Sequence, residues 1–187
     1  MKLFINACVR AGSRTRRLAD VYIARSGADF TELRLDKVRF PVADEAFLAE
    51  RDRLIAEEAW DHPLFALARQ FAQAEEILIA APYWDLSFPA SLKQYFEQIN
   101  VLGVTFRYTP EGTPVGLCKA ERLTYITTAG GAFLPEEFGF GYVKALAQSF
   151  YGIPEVVQYR AAGLDIAGAD VAGILRAAEK KIREDLK

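Results

Sequence analysis

Residues 77–93 read Ile-Leu-Ile-Ala-Ala-Pro-Tyr-Trp-Asp-Leu-Ser-Phe-Pro-Ala-Ser-Leu-Lys, and the other elements of the chain are organised around them. The first five of these residues are apolar, a run too short for a helix and of the right length for a buried strand. Pro82 has no N–H to donate, so we expect it to end the strand. Phe88-Pro89 then opens a helix, because proline is favoured in a first turn. Two aromatic side chains and exposed N–H groups therefore follow the carboxyl end of a central strand, where open α/β sheets bind ligands.

The composition is that of an ordinary globular chain, with 187 residues, 51% hydrophobic and 26% charged. This length favours a single domain, residues 1–187, with a sizeable core. The net charge of −2 gives no electrostatic sign of a nucleic-acid or membrane partner. Cys8 and Cys118 are too few for a disulfide framework or a zinc site, so we expect no metal. The apolar run Leu3-Phe4-Ile5 is too short for a signal peptide, and we predict a cytoplasmic protein.

Strand and helix patterns alternate along the chain. Strand patterns lie at 2–6, 29–35, 77–81, 123–128 and 156–161. Helical patterns lie at 10–26, from 61 onward, at 89–99, at 143–151 and after 171. This alternation predicts a three-layer α/β sandwich, with a five-stranded parallel sheet in the order 2-1-3-4-5 and helices on both faces. The second strand alternates polar and apolar residues, which places it at a sheet edge.

The remaining segments are less regular. In residues 36–60, whose role the sequence leaves open, Asp44 is a candidate cap for a short helix. His62 is expected at a helix N-terminus that Asp61 caps. Residues 104–108 are short and extended. Residues 109–119 are rich in glycine and proline, which indicates a loop or an irregular hairpin.

The turn after the first strand, residues 6–17, reads Asn-Ala-Cys-Val-Arg-Ala-Gly-Ser-Arg-Thr-Arg-Arg. A loop that enters a helix N-terminus presents free N–H groups and a positive dipole end, which suit an anion. Ser13 and Thr15 add hydroxyl donors, and Arg10 and Arg14 are among four cations within eight residues. Neither the Walker motif nor the dinucleotide fingerprint is present. The same residues also fit a capped helix with a solvated basic face, and Cys8 fits either a reactive thiol or a small packed residue.

Two further loops follow strand ends. Pro82-Tyr83-Trp84-Asp85 could wall a flat ring, or it could be an aromatic pair in a core or interface. Thr127-Thr128-Ala129-Gly130-Gly131 allows close backbone approach to a ligand, or it could be a plain turn. In the predicted strand order the three loops share one edge of the sheet at the switch point. Together they describe a crevice for a flat ring with a phosphate tail.

With these motifs the chain resembles the flavodoxin-like NAD(P)H:quinone oxidoreductase and FMN-dependent NADH-azoreductase family. The resemblance covers most of the chain. It is densest at 13–15, 80–85, 89–93, 103–109, 127–131 and 150–153. It implies a homodimer with flavin sites at the interface, and FMN in preference to FAD. Ser13, Arg14 and Thr15 would hold the phosphate, and Tyr108 and Trp84 are pocket candidates.

The resemblance also implies that the flavin ring lies against Pro82, Tyr83, Trp84 and Asp85, with its polar edge near Thr128, Gly130 and Gly131. The candidate cofactor-binding residues are Cys8, Arg10, Ser13, Arg14, Thr15, Pro82, Tyr83, Trp84, Asp85, Thr127, Thr128, Ala129, Gly130 and Gly131. The segment from Tyr83 to Leu86 departs from the azoreductase pattern, which has Met-Tyr-Asn-Phe there. Asp85, in place of an amide, could accept from the flavin ring or cap a helix.

The resemblance implies an enzyme that moves hydride from NAD(P)H through bound FMN to a small aromatic acceptor, a quinone, an azo compound or a nitroaromatic. In such enzymes the cofactor carries the chemistry, and the protein supplies position and electrostatics. The alternative is a flavodoxin-type electron carrier without its own substrate. The net charge of −2 argues against a carrier of the usual strongly acidic kind. A third reading is an α/β protein whose crevice takes another phosphorylated ligand or none.

Overall fold

The computed structural model describes residues 1–186 and contains an alternating series of strands and helices. The strands are β1 (Lys2–Asn6), β2 (Phe30–Arg34), β3 (Glu76–Ala80), β4 (Phe106–Tyr108), β5 (Pro114–Gly116), β6 (Arg122–Thr128) and β7 (Glu155–Ala161). The α-helices are α1 (Arg14–Ser26), α2 (Glu45–Ala56), α3 (Ala66–Gln73), α4 (Ala90–Ile99), α5 (Phe140–Leu146) and α6 (Val171–Asp185). Within residues 1–186, none of these helices has the length and apolarity needed to cross a bilayer.

Five strands form the central sheet in the order β2-β1-β3-β6-β7, and every neighbouring pair is parallel. Counted along this sheet the order is 2-1-3-4-5, so the predicted topology is confirmed. β2 lies at an edge, as its alternating pattern indicated. The remaining strands, β4 and β5, form a separate antiparallel pair. β4 lies in the segment predicted to be extended, and β5 lies in the segment predicted to be a loop or an irregular hairpin.

The strands of the sheet bury side chains on both faces, which makes two cores and three layers. In β3, Ile77 and Ile79 point into one core, whereas Leu78 and Ala80 point into the other. The first core includes apolar residues of α2, α3, α4 and α5, and the second includes residues of α1 and α6. Strands covered on both faces read as continuous apolar runs, which explains the sequence of residues 77–81.

The segments outside the central sheet contain short helices, three of which bear on the sequence predictions. Asp44 caps α2 by accepting a hydrogen bond from the N–H of Phe47 at 2.9 Å, which confirms the candidate cap in residues 36–60. The expectation for Asp61 was wrong, because His62 is the capping residue of a single 3₁₀ turn, Pro63–Phe65. Its Nδ1 accepts from the N–H of Leu64 at 3.3 Å. The predicted helix at 143–151 is α5 continued by a π-helical turn, Ala147–Tyr151.

Candidate ligand-binding site

A cavity of about 400 Å³ opens at the carboxyl edge of the central sheet. This volume lies within the usual range for small-molecule sites. The lining residues come from the loops after β1, β3, β6 and β7, and they are Val9, Arg10, Gly12, Ser13, Arg14, Thr15, Pro82, Tyr83, Trp84, Thr128, Ala129, Gly130, Leu164 and Asp165. The three loops singled out in the sequence therefore do meet, and a fourth joins them.

The loop after β1 presents the N-terminus of α1 to the cavity. Ser13 is the N-cap, and its Oγ accepts from the N–H of Arg16 at 3.2 Å. The first-turn N–H groups of Arg14 and Thr15 have no carbonyl four residues earlier within the helix, so they remain available. The first turn of α1 contains no acidic residue that would offset the positive dipole end. Because the Ser13 hydroxyl accepts from Arg16, its own proton is free to be donated to an anion.

Thr15 links the first loop to the glycine loop. Its Oγ1 lies 2.7 Å from Oγ1 of Thr128, and both residues are buried. In a pair of hydroxyls one proton is shared between the two oxygens, which leaves the other proton for a further acceptor. The pair therefore joins the two loops and still offers one donor.

The loop after β3 is a tight hairpin turn. Trp84 and Ser87 exchange backbone hydrogen bonds, at 3.0 and 2.8 Å. Between them Asp85 and Leu86 have φ values of 49° and 68°, so both are in the left-handed region. Two successive left-handed residues define a type I′ turn, in which aspartate is tolerated better than most residues. The turn holds Trp84 at the rim, where 39% of the side chain is exposed.

The position of Asp85 excludes one of the two roles considered for it, that of a helix cap. The N-cap of α4 is Pro89, and no side chain caps this helix. Asp85 is therefore not a helix cap. It lies at the tip of the turn, outside the set of residues that line the cavity.

The glycine loop after β6 is held by the loop after β7. The carbonyls of Ala129, Gly130 and Gly131 accept from the N–H groups of Leu164, Asp165 and Gly163 respectively, at 3.2, 2.9 and 2.8 Å. No backbone hydrogen bond within residues 1–186 uses the N–H of Gly130 or Gly131. The carbonyls of this loop are thus occupied, while two N–H groups remain as donors.

The fourth loop contributes residues that the sequence patterns did not indicate. Leu164 and Asp165 line the cavity, as do Val9 and Gly12 of the first loop. Arg14 donates from Nη1 to Asp165 Oδ1 at 2.8 Å and to the carbonyl of Leu164 at 3.3 Å. The signal that could have found this loop is the strand order, since the fifth strand also ends at this edge of the sheet.

Cys8 lies under the first loop and does not line the cavity. Its side chain is only 3% exposed, and its Sγ lies 3.7 Å from the carbonyl of Ala80. Burial raises the pKa of the Cys8 thiol above its ordinary value, more than Ser13 and Arg16 lower it. Of the two readings for Cys8, the structure supports the small packed residue.

Three other candidates, Thr127, Gly131 and Tyr108, also lie outside the lining of the cavity. Tyr108 is on β4 with 49% of its side chain exposed. Thr127 is buried behind the loops, and its Oγ1 has no hydrogen-bond partner within residues 1–186. The hydroxyls of Tyr83 and Tyr125 are also buried without a partner. All three side chains line a small space of about 10 Å³, close to the volume that one water molecule requires.

Two named bacterial proteins are similar to this chain in sequence. The FMN-dependent NADH:quinone oxidoreductase 2 of Clostridium acetobutylicum is 42% identical over 135 residues, which are 70% of this chain and 66% of that protein. The FMN-dependent NADH:quinone oxidoreductase of Clostridium beijerinckii is 35% identical over 192 residues, which cover 97% of this chain and 94% of that protein.

A solved structure shows the same fold. The FMN-dependent NADH-azoreductase from Bacillus anthracis, in complex with FMN, superposes with a TM-score of 0.82, covering 100% of this chain and 98% of that one. Its sequence identity to this chain is 22%, so it supports the shared fold alone. The family model Flavodoxin_2, described as a flavodoxin-like fold, matches residues 2–186. With this match, the parallel sheet in the order 2-1-3-4-5 and the loops gathered at its carboxyl edge, the chain belongs to the Flavodoxin_2 family.

Proposed function

We propose that this protein is an FMN-dependent NAD(P)H oxidoreductase that reduces quinone, azo or nitroaromatic acceptors. The observation that carries the proposal is the cavity itself. It joins the free N–H groups at the start of α1 to the indole ring of Trp84 and the N–H donors of the glycine loop. The C. beijerinckii relative, similar over nearly the whole chain, supports the same function.

The residues of the cavity fit the parts of FMN. The phosphate requires donors and positive charge, which Ser13, the first turn of α1 and Arg14 supply. The flat ring requires apolar walls, which Pro82, Tyr83 and Trp84 would supply. We assign the polar edge of the ring to the glycine loop, because its carbonyls are occupied and its donors are not.

Bound FMN would supply the hydride chemistry. The residues of the chain would position the flavin and stabilise the charge that develops on it. The N–H group of Gly130, which lines the cavity, would stabilise negative charge at the edge of the ring, as preorganised donors do in other sites. The exposed ring of Trp84 would offer an aromatic surface, at the mouth of the cavity, to the nicotinamide and then to the acceptor.

The proposal extends to a homodimer. Large apolar side chains are exposed on and beside the β4–β5 hairpin, including Leu102 at 41%, Tyr108 at 49% and Leu117 at 38%. A neighbouring copy would cover them and bring Tyr108 toward a flavin site at the interface. Sedimentation equilibrium should give twice the monomer mass, and Tyr108→Glu should lower it. Ala24→Glu, at an exposed position of α1 on the other face of the sheet, should not. We also propose a cytoplasmic location, since Cys8 and Cys118 are both free thiols.

The direct test is steady-state oxidation of NADH and of NADPH by the FMN-loaded protein, with menadione as acceptor. We expect turnover that depends on both the acceptor and the flavin. Tight FMN binding without turnover would favour the electron carrier instead. A protein that stays colourless after incubation with FMN would contradict both flavin functions.

Replacing Trp84 with alanine should affect the ring end of the site and leave the phosphate end intact. We expect the Kd for FMN to rise about two- to tenfold, the effect of losing an aromatic contact of about 0.5–1.5 kcal/mol. The bound flavin should also become more fluorescent, because an adjacent indole quenches it. The matched control is Leu48→Ala, which trims another half-exposed apolar side chain (47% exposed) outside the cavity. If neither affinity nor fluorescence changes, Trp84 does not contact the flavin.

A further inference from the structure

Asp165 is held in the wall of the cavity by two hydrogen bonds. Its N–H donates to the carbonyl of Gly130 at 2.9 Å, and its Oδ1 accepts from Arg14 at 2.8 Å. Its Oδ2 lies where a side chain on residue 130 would begin, 2.3 Å from an ideal Cβ. The glycine at 130 therefore gives the carboxylate room to sit directly against the glycine loop.

The negative charge of this carboxylate opposes the positive charge of the arginines and of the α1 N-terminus in the cavity lining. Among the residues that line the cavity within 1–186, Asp165 is the acidic one, whereas Arg10 and Arg14 are cations. While it pairs with Arg14, the carboxylate offsets part of the positive charge of that guanidinium, because both side chains are partly exposed to solvent. An anion that arrives at the start of α1 must share Arg14 with the carboxylate and lie near a like charge.

We infer that Asp165 is a specificity-determining residue that limits the affinity of the cavity for phosphate. The inference rests on the proposed function and deepens it. With the carboxylate in place, a bare phosphate ion is held weakly. A phosphate monoester is retained only when a flat ring adds its contacts in the remainder of the cavity. The carbonyl of Leu164 also accepts from Arg14, so the guanidinium keeps a partner when the carboxylate is removed.

The test is Asp165→Asn, which removes the charge and keeps the shape. We expect the Kd for FMN to fall about two- to fivefold at low ionic strength, the range for a partly exposed charge pair. The Kd for riboflavin, which lacks the phosphate, should not change. Inorganic phosphate should displace FMN at lower concentrations than it does from the wild type. The difference between the two proteins should shrink at 1 M salt, where the Debye length is about 3 Å.

Two variants make the result specific. Asp52→Asn on α2 changes the net charge equally, outside the cavity, and should leave both affinities unchanged. Asp165→Ser removes the same carboxylate with a different side chain, and should reproduce the tightening if the asparagine variant does not fold.

The outcomes separate this inference from the proposed function. If the wild type binds FMN and turns over NADH, but Asp165→Asn binds FMN equally or more weakly, only the role of Asp165 is overturned. The same holds if riboflavin tightens as much as FMN, because the effect would then not be electrostatic. If the wild type binds neither flavin, the proposed function falls and the inference falls with it.

Discussion

Replacing Ser13 and Thr15 together with alanine should weaken FMN binding at least a hundredfold. Each hydrogen bond to a charged phosphate contributes about 1.5–3 kcal/mol, so losing two removes about 3–6 kcal/mol. The free proton of Ser13 and the shared hydroxyl pair of Thr15 and Thr128 are the groups that would be lost or weakened. Fluorescence titration with FMN measures the effect, and riboflavin binding should change far less because it has no phosphate.

The double variant also loses structural bonds, so it needs controls. Ser13→Ala removes the N-cap of α1, which should lower stability by about 1 kcal/mol. Asp44→Ala removes the cap of α2 outside the cavity, and it should lower stability similarly without changing FMN affinity. Ser13→Gly keeps most of the capping stability and lacks the hydroxyl, so it isolates the contribution of the phosphate contact. Wild-type FMN affinity in the double variant would mean that the phosphate is bound elsewhere.

The second large effect that we expect is a loss of stability on substitution of Gly116. Gly116→Ala should lower the free energy of unfolding by about 3 kcal/mol, the upper end of the usual range for overpacking. An ideal Cβ on Gly116 would lie 2.1 Å from the backbone nitrogen of Gly152 and 2.3 Å from the carbonyl oxygen of Tyr151. The neighbouring atoms are backbone, so no side-chain rotation can relieve the overlap. Gly152 is itself in a left-handed conformation, with φ of 73°, at the end of the π-helical turn.

Urea unfolding followed by circular dichroism measures this loss. The matched control is Gly131→Ala, because no atom lies within 4 Å of an ideal Cβ there. We expect Gly131→Ala to change stability by less than about 0.5 kcal/mol, as exposed substitutions usually do. Equal stability of the two variants would show that the β4–β5 hairpin is not packed against the π-helical turn as described.

Much of the fold could be predicted because its causes are local. The run at 77–81 is apolar at every position, as expected for a strand with a helix layer on each face. Ser13 and Asp44 precede helical patterns and do cap α1 and α2. The alternation of strands and helices then leaves few topologies, and the order 2-1-3-4-5 was among them.

Other features were missed because they depend on partners distant in sequence. The loop after β7 lacks a local motif, yet three hydrogen bonds place it against the glycine loop. The role of Asp85 was open because only the φ angles of Asp85 and Leu86 show a type I′ turn. Cys8 looked like either a reactive or a packed thiol, and only its burial distinguishes the two.

Local sequence patterns were enough to predict the layers, the strand order and three of the four loops at the carboxyl edge. Periodicity, caps and turn residues act over a few positions, so they can be read along the chain. Which side chains face the cavity depends instead on how the folded elements pack together. This packing brought Asp165 to Arg14 across 151 positions of sequence, and it turned Cys8, Thr127 and Tyr108 away from the cavity lining. Such contacts arise from the packing of whole elements, and no local pattern encodes them.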